Sequence, residues 1–264
     1  MKFQIDHDLH IHSKLSSCSN HPEQTTENIL KYAAQNGLKH ICLTDHFWDS
    51  DVPGASFWYK PQNYEHLSKA LPLPKAEGIR FDFGCEGDMD MHFTLGISPD
   101  KLDKFDFIVV PTSHLHMETF TIEKGDIDPK RRAELYMKRN HALLDMDLPF
   151  HKMGLAHFTC RLACYNTPAS VEEFFNLISD AEYAELFERV AKSGMGVELN
   201  MWDVEYDSPR AFSIYRIARE CGCKFYLGSD AHTPSQLASA MSRFNTMVDT
   251  LDLTEDDKHP YIAR

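Results

Sequence analysis

Short apolar segments alternate with longer amphipathic segments along almost the whole chain. The apolar segments have the length and β-branched or aromatic character of strands. Seven of them are predicted as strands, at residues 2–10, 39–44, 80–88, 105–112, 153–158, 195–200 and 223–232. The fourth, FDFIVVPT, is the most continuously apolar, as expected of a strand buried on both faces.

Helix start and stop signals fall between these strands. The segment TENILKYAAQ, residues 26–35, is predicted as a helix that stops near Gly37. Asp128 and Pro129 open a long helix that runs to about Met146. Further helix starts are predicted at Ser98-Pro99, Ser170, Ser179 with Glu182 as a capping box, Ser208-Pro209 and Thr233-Pro234.

A strand followed by a helix, repeated about seven times, is typical of parallel strands joined by right-handed crossovers. The pattern indicates an α/β fold in one domain, residues 1–264. It does not separate an open doubly wound sheet from a closed barrel, but no GxGxxG follows the first strand. Residues 47–61 read as a long aromatic loop, and residues 254–264 as a loosely held tail.

Composition limits the classes of function. The chain has 264 residues and a formal net charge of −13, which argues against an extended nucleic-acid surface. It has no apolar run long enough to span a bilayer and no signal peptide, so we expect no membrane partner and a cytoplasmic location. The seven cysteines form no CxxC pair, which is typical of reduced thiols rather than a disulfide framework. The oligomeric state is left open.

Residues of the types that bind metals lie at the ends of six of the seven predicted strands. In a (β/α) barrel the active site lies at the carboxyl ends of the strands, so these side chains would meet there. Residues i and i+2 of a strand share a face about 7 Å apart, so an HxH pair can converge on one ion. The residues are His10 and His12, Asp45 and His46, Glu86, His114 and His116, His157, and Asp230 and His232.

Each motif alone has an ordinary structural explanation, such as a turn, a helix cap or a buried ion pair. Together, six strand ends of one chemical character indicate a shared site, because buried imidazoles and carboxylates are costly unless they are paired or metal-bound. The sequence therefore predicts a metal centre.

The ordered motifs DLHIHS, TDH, CEGD, TSHLH, AHF and GSDAH resemble the PHP (polymerase and histidinol phosphatase) superfamily. The resemblance extends from about Phe3 to Thr233 and is greatest to the histidinol-phosphatase-type branch. It implies a distorted seven-stranded (β/α)7 TIM-like barrel, a trinuclear metal centre and hydrolysis of phosphate esters.

The resemblance also implies a distribution of ligands over the metals. His10, His12, Glu86 and Asp230 are expected at the first metal, and Glu86, His114 and His157 at the second. His46 and His232 are expected at the third, where Cys18 stands in place of a histidine found in some members and His21 lies three residues on. Cys18 is therefore either a ligand or a small buried hydrophobe, and His116 is an alternative to His114. A thiolate favours zinc or iron, so we expect two or three divalent ions, with zinc, manganese or iron favoured.

The expected activity is hydrolysis of a small phosphomonoester, with histidinol phosphate as the substrate that the resemblance suggests. Two dications bridged by a carboxylate lower the pKa of a shared water, and the resulting hydroxide attacks phosphorus. Glu86 and Asp230 are the expected catalytic carboxylates, and Arg161 is a candidate for binding phosphate. Asp8 and Asp45 are candidates for orienting imidazoles, or alternatively for capping turns.

Three alternatives remain. One is a nucleotide or short-oligonucleotide phosphoesterase. A second is an amidohydrolase-type metal hydrolase, for which a bridging lysine at mid-chain would be expected. The third is a metal-bound domain without activity. The loop from Phe47 to Tyr59 is expected either to cover the pocket or to pack on the fold.

Overall fold

A computed structural model describes residues 1–204 and 208–263. Within these residues the chain forms nine strands in two sheets, and every strand pair in the sheets is parallel. The strands are β1 His7–Ile11, β2 His40–Leu43, β3 His46–Phe47, β4 Arg80–Phe83, β5 Cys85–Gly87, β6 Ile108–Val110, β7 Met153–Leu155, β8 Gly196–Asn200 and β9 Lys224–Gly228. One sheet has the order β1-β2-β4 and the other the order β3-β5-β6-β7-β8-β9. The predicted α/β fold with parallel strands is confirmed.

Two differences account for nine strands where seven were expected: the predicted strand 80–88 is divided into β4 and β5, and the short strand β3 lies beyond the end of the predicted strand 39–44. Thr44 and Asp45 separate β2 from β3, and Gly84 separates β4 from β5. A Cβ at Gly84 would lie 2.3 Å from the carbonyl oxygen of Phe107, so the close approach of these two chain segments requires glycine.

Seven of the eight described α-helices lie between strands and the eighth follows β9, mostly where the capping residues predicted them. They are α1 Thr26–Gln35, α2 Tyr64–Leu67, α3 Pro99–Leu102, α4 Pro129–Leu144, α5 Val171–Phe175, α6 Asp180–Ser193, α7 Pro209–Glu220 and α8 Pro234–Thr250. Ser170 and Ser179 form capping boxes with Glu173 and Glu182, as the sequence indicates. None of the described helices has both the length and the apolar character needed to cross a membrane.

Strands β1 and β9, at the outer ends of the two sheets, lie beside each other. Ile11 and Ala231 form a parallel bridge, and the amide of Asp230 donates to the carbonyl of His10 at 2.7 Å. This contact brings the carboxyl end of β9 against the HxH motif, which positions the site described below.

The described part of the tail, residues 254–263, is packed, so the expectation of a loosely held segment is wrong for these residues, and Arg264 lies outside the described residues. Tyr261 is buried among Leu9, Phe107 and Tyr226, and its hydroxyl donates to Asp82 Oδ2 at 2.6 Å. The ammonium of Lys258 lies 3.1 Å from Asp6 Oδ1. An aromatic ring that fills the interior of the strands gains enough apolar burial to order the segment that carries it.

Candidate metal centre

Strand ends carry the polar side chains of the centre. His10 lies in β1 with His12 just beyond it, His46 begins β3, and Glu86 lies in β5. His114 follows β6. His157 and Asp230 follow β7 and β9 with φ angles of 29° and 50°. Such left-handed backbone is uncommon for residues other than glycine and is typical of functional sites, where surrounding contacts hold it in place.

Glu86 is fully buried at the middle of these residues, and its two carboxylate oxygens face different groups. Oε2 lies 2.8 Å from His46 Nδ1, 3.3 Å from His12 Nε2 and 3.7 Å from His10 Nε2. Oε1 lies 3.1 Å from His157 Nε2 and 3.9 Å from His114 Nε2. This division is the arrangement that a carboxylate bridging two cations requires.

Asp230 completes the first group. Its Oδ1 lies 3.0 Å from His12 Nε2 and 3.5 Å from His10 Nε2. The imidazole of His232 stacks on that of His12 with ring centroids 4.2 Å apart. Three sets of potential ligand atoms therefore converge, with the atoms of each set within 4.8 Å of one another: His10, His12 and Glu86; Glu86, His114 and His157; and His12, His46 and His232.

The outer nitrogens of the imidazoles are already bonded, which sets their tautomers. His10 Nδ1 donates to Glu198 Oε1 at 2.8 Å, because a carboxylate only accepts. His12 Nδ1 lies 3.0 Å from the hydroxyl of Ser16, and that hydroxyl already donates to Asp45. It therefore accepts from His12. The Nε2 atoms of neutral His10 and His12 then face each other with lone pairs, 3.1 Å apart.

This juxtaposition fits divalent cations. Two facing lone pairs repel unless a proton or a cation lies with them, and imidazole and carboxylate ligands suit zinc, iron and manganese. The buried Oε2 of Glu86 and Nδ1 of His46 also lack hydrogen bonds despite their short separation. Buried polar atoms without partners are rare, and cations here would satisfy both.

The electrostatics agree with that fit. Burial alone would lower the pKa of His12, but its contacts with Asp230 and Glu86 outweigh burial and raise the pKa to about 9. Burial would raise the pKa of Glu86, yet the surrounding imidazoles hold it well below its usual range. Without metal the centre therefore favours extra protons at His10, His12 and His46, whose pKa values are raised, and bound cations would displace these protons. Burial instead lowers the pKa of His232 to about 3.

A cavity of about 500 Å³ opens onto this centre. Its polar floor includes Glu86, Asp230, His46, His114 and His232. Its walls include Trp58, Tyr59, Met117 and Leu162, with His116 and Cys18. The aromatic loop thus supplies part of the wall, while Trp48 and Tyr59 pack with Phe120 in a small core behind it. Both sequence-based expectations for this loop are partly met.

Four other residues named from the sequence differ in how they lie relative to the cavity and the three ligand sets. Cys18 is exposed at the cavity and interacts with the imidazole of His46, so it is not a buried hydrophobe. His21 is exposed outside the three sets, and its Nδ1 accepts from the amide of Glu23. Arg161 is exposed and outside the described lining, although its neighbour Leu162 is part of it. His116 lines the cavity but joins none of the three sets among the described residues.

The candidate orienting carboxylates act differently from one another. Asp45 accepts a hydrogen bond from Ser16, and Ser16 in turn accepts one from His12. Asp45 therefore orients the imidazole of His12 indirectly, through Ser16. Asp8 instead accepts from the backbone amides of Ser229 and His10 and contacts no imidazole nitrogen in the described hydrogen bonds. Asp8 therefore joins β1 to the end of β9.

Two buried carboxylates that bond imidazoles of the centre were missed from the sequence. Glu198 in β8 bonds His10 and also accepts from the backbone amide of His157. Asp88 accepts from His114 Nδ1 at 2.9 Å and from the hydroxyl of Tyr59 at 2.8 Å. The signal for Glu198 was a single acid within the otherwise apolar segment MGVELN.

Comparisons with known proteins agree with this geometry. A family model for the PHP domain matches residues 8–201. A probable phosphatase of Caldicellulosiruptor saccharolyticus is 22% identical over 224 residues, which are 83% of this chain and 78% of that protein.

Two solved structures share the fold. Histidinol phosphate phosphatase from Lactococcus lactis, complexed with zinc, L-histidinol and phosphate, has a TM-score of 0.62 at 17% identity. The alignment covers 94% of each chain. A candidate histidinol phosphatase from Listeria monocytogenes has a TM-score of 0.65 at 15% identity, over 90% of this chain and 99% of that one.

Proposed function

Because the chain belongs to the PHP domain family, we propose that it is a metal-dependent phosphatase that hydrolyses small phosphomonoesters. The observation that carries the proposal is the pair of facing Nε2 atoms of His10 and His12 beside the two-sided carboxylate of Glu86. The probable phosphatase and the zinc-containing histidinol phosphate phosphatase support the same class of reaction.

We assign the ligands in three sets that share residues. Zinc, manganese or iron would occupy two or three positions, since the donors are imidazoles, carboxylates and one thiol. The sets are His10, His12, Glu86 and Asp230 for the first position, Glu86, His114 and His157 for the second, and His46, His232 and Cys18 for the third.

The residues of this chain hold and orient the reacting groups. When bound, two divalent cations that share a carboxylate lower the pKa of a water between them and neutralise charge on a phosphoryl group. Glu86 and Asp230 provide anionic ligands, and Glu198 and Asp88 hold His10 and His114 with one nitrogen directed inwards. The proposal needs no side-chain nucleophile. We keep Arg161, which is exposed and outside the described lining of the cavity, as the candidate for binding phosphate.

We also propose an architecture for the chain. The two sheets together would form one distorted barrel of seven strands, within a single domain of residues 1–264. The short breaks between β2 and β3 and between β4 and β5 support it, as does the bridge from Ile11 to Ala231 beside β1 and β9. All seven cysteines are free, which agrees with a reducing, cytoplasmic location.

The test is a comparison of substrate classes with the purified protein. We expect hydrolysis of p-nitrophenyl phosphate, loss of that hydrolysis after chelation, and recovery with Mn²⁺ or Zn²⁺. A panel of amides and lactones should not be hydrolysed, because no lysine lines the described cavity to serve as an amidohydrolase-type bridge. Turnover of the panel without turnover of any phosphate ester would contradict the proposal.

A further inference from the structure

We propose that the natural substrate has an uncharged, apolar leaving group with an aromatic ring, rather than a cationic amino alcohol such as histidinol. This inference rests on the proposed phosphatase function and names the substrate class of the same site. It comes from the chemical contrast between the floor of the cavity and its walls.

Much of the cavity wall is apolar and partly aromatic, beside the side chains of His116 and Cys18. Trp58, Met117 and Leu162 are each half-buried and face the cavity beside the buried ring of Tyr59. Apolar surface left exposed in a concave site favours an apolar ligand, because binding removes both surfaces from water.

Ring contacts hold these walls in place. The rings of Trp58 and Tyr59 pack edge to face with centroids 4.7 Å apart, and Trp58 also lies 4.9 Å from the ring of His46. Tyr59 is anchored by its hydrogen bond to Asp88, and Met117 packs on the small core of Trp48, Tyr59 and Phe120. An aromatic leaving group would therefore meet a surface that is already ordered, and binding would cost little side-chain entropy.

The charges argue against a cationic leaving group. Glu86 and Asp230 are the only carboxylates in the described lining, and both already face the imidazoles of the floor. An ammonium group would leave water without gaining a free counter-charge, and it would lie close to the proposed cations.

The same lining disfavours a second phosphate. No lysine or arginine is present among the residues described around the cavity. A phosphate outside the metal centre would therefore lack the charge-assisted hydrogen bonds that such groups require. A single phosphoryl group on the metals and a neutral group against Trp58 and Leu162 match the distribution of charge.

A matched pair of substrates tests this directly. 3-Phenylpropyl phosphate has the chain length of histidinol phosphate but a phenyl ring for the imidazole and no ammonium group. With the metal-loaded protein we expect kcat/KM for 3-phenylpropyl phosphate to be at least about tenfold higher than for histidinol phosphate. Equal or higher kcat/KM for histidinol phosphate would overturn the inference while leaving the phosphatase function intact. Hydrolysis of neither ester, nor of p-nitrophenyl phosphate, would overturn both.

A charge placed in the wall provides the second arm. Leu162→Asp should lower the ratio of kcat/KM for 3-phenylpropyl phosphate to that for histidinol phosphate by about tenfold or more. The new carboxylate would replace apolar surface that the phenyl ring contacts, and it would pair with the ammonium group of histidinol phosphate. Leu177→Asp is the control, since Leu177 is an exposed leucine outside the cavity, and its ratio should match that of the wild type.

A second variant covers the case in which Leu162→Asp does not fold, as judged by circular dichroism. Leu162→Ala should still lower kcat/KM for 3-phenylpropyl phosphate more than for ethyl phosphate. An unchanged ratio in a folded Leu162→Asp protein, or equal losses in Leu162→Ala, would contradict the assignment of this wall.

Discussion

The imidazoles of His10, His12 and His114 can each present one nitrogen to a cation because the other nitrogen has a partner within the protein. Glu198 holds His10, Asp88 holds His114, and Ser16 holds His12. These partners set the tautomer and fix the direction of the inner lone pair. At the residue scale, the chemistry of the site therefore depends as much on hydrogen-bond acceptors as on the ligands themselves.

Cys18 gives a prediction about metal content at this scale. Its thiol is exposed at the cavity beside His46, so a thiolate there would complete the third set of ligands. We expect Cys18→Ser to bind up to about one zinc ion fewer per chain than the wild type, because a serine hydroxyl is a poor zinc ligand. Elemental analysis after zinc loading and gel filtration measures this. Cys221→Ser, at the end of α7, is the control. The same zinc content in both variants and the wild type would exclude Cys18 as a ligand.

The sequence predicted the inward-facing side chains better than the partners that orient them. HxH, TDH and GSDAH are recognisable because their residues are close along the chain. The bond from Glu198 to His10 joins positions 188 residues apart, and no local pattern reveals such a pair. Arg161 is close to His157 along the chain, yet its side chain lies outside the described lining of the cavity, and its role in binding phosphate stays a prediction.

At the scale of elements, the centre depends on the close packing of three strands. Gly228 ends β9 between Glu198 of β8 and His10 of β1. A Cβ at Gly228 would lie 1.7 Å from Glu198 Oε1 and 2.7 Å from His10 Cβ. A glycine at this position lets the carboxylate and the imidazole meet.

A methyl group at that position should therefore disturb the metal centre. We expect Gly228→Ala to lower metal affinity by about tenfold or more, the range found when a ligand's orienting partner is disturbed. A competition titration with a fluorescent zinc chelator measures the change. Normal affinity in a folded Gly228→Ala protein would show that Glu198 and His10 need not keep this geometry.

Helix boundaries and the tail differ in how far the sequence predicts them. Caps are local, so Thr26–Gln35 and the capping boxes of α5 and α6 appear where serine, threonine and glutamate indicate them. The tail depends on Tyr261 reaching the interior of the strands, which is a long-range contact. Polar residues around it gave no signal of that burial.

At the scale of the whole molecule, one buried histidine, His7, should make the free energy of unfolding depend on pH. His7 is fully buried, donates from Nδ1 to Asp6 and accepts from the amide of Leu227 at Nε2. The bond at Nε2 requires the neutral ring, because a protonated ring cannot accept there, whereas Nδ1 donates to Asp6 in either state. Burial lowers the pKa of His7 to about 4, although Asp6 opposes that change.

This lowered pKa predicts a loss of stability in mild acid. The unfolded chain takes up a proton at His7 below about pH 6.5, while the folded chain resists doing so until about pH 4. Between pH 7 and pH 5 the free energy of unfolding should fall by about 2 kcal/mol through this residue. We expect His7→Gln to be less stable than the wild type at pH 7 and to lose less stability between pH 7 and pH 5, as measured by urea unfolding. An identical pH dependence in the two proteins would mean that His7 is not held neutral.

The central claim is that residues from six strand ends bind divalent cations around Glu86. The most direct measurement is the number of zinc or manganese ions per chain after loading and gel filtration, for the wild type, Glu86→Gln and the exposed control Glu185→Gln. We predict at least about two ions per chain in the wild type and the control. Glu86→Gln should hold fewer and lose phosphatase activity by about a thousandfold or more, since the bridge between two positions is removed. A wild-type chain without bound metal, or a Glu86→Gln chain with the full number, would contradict the account.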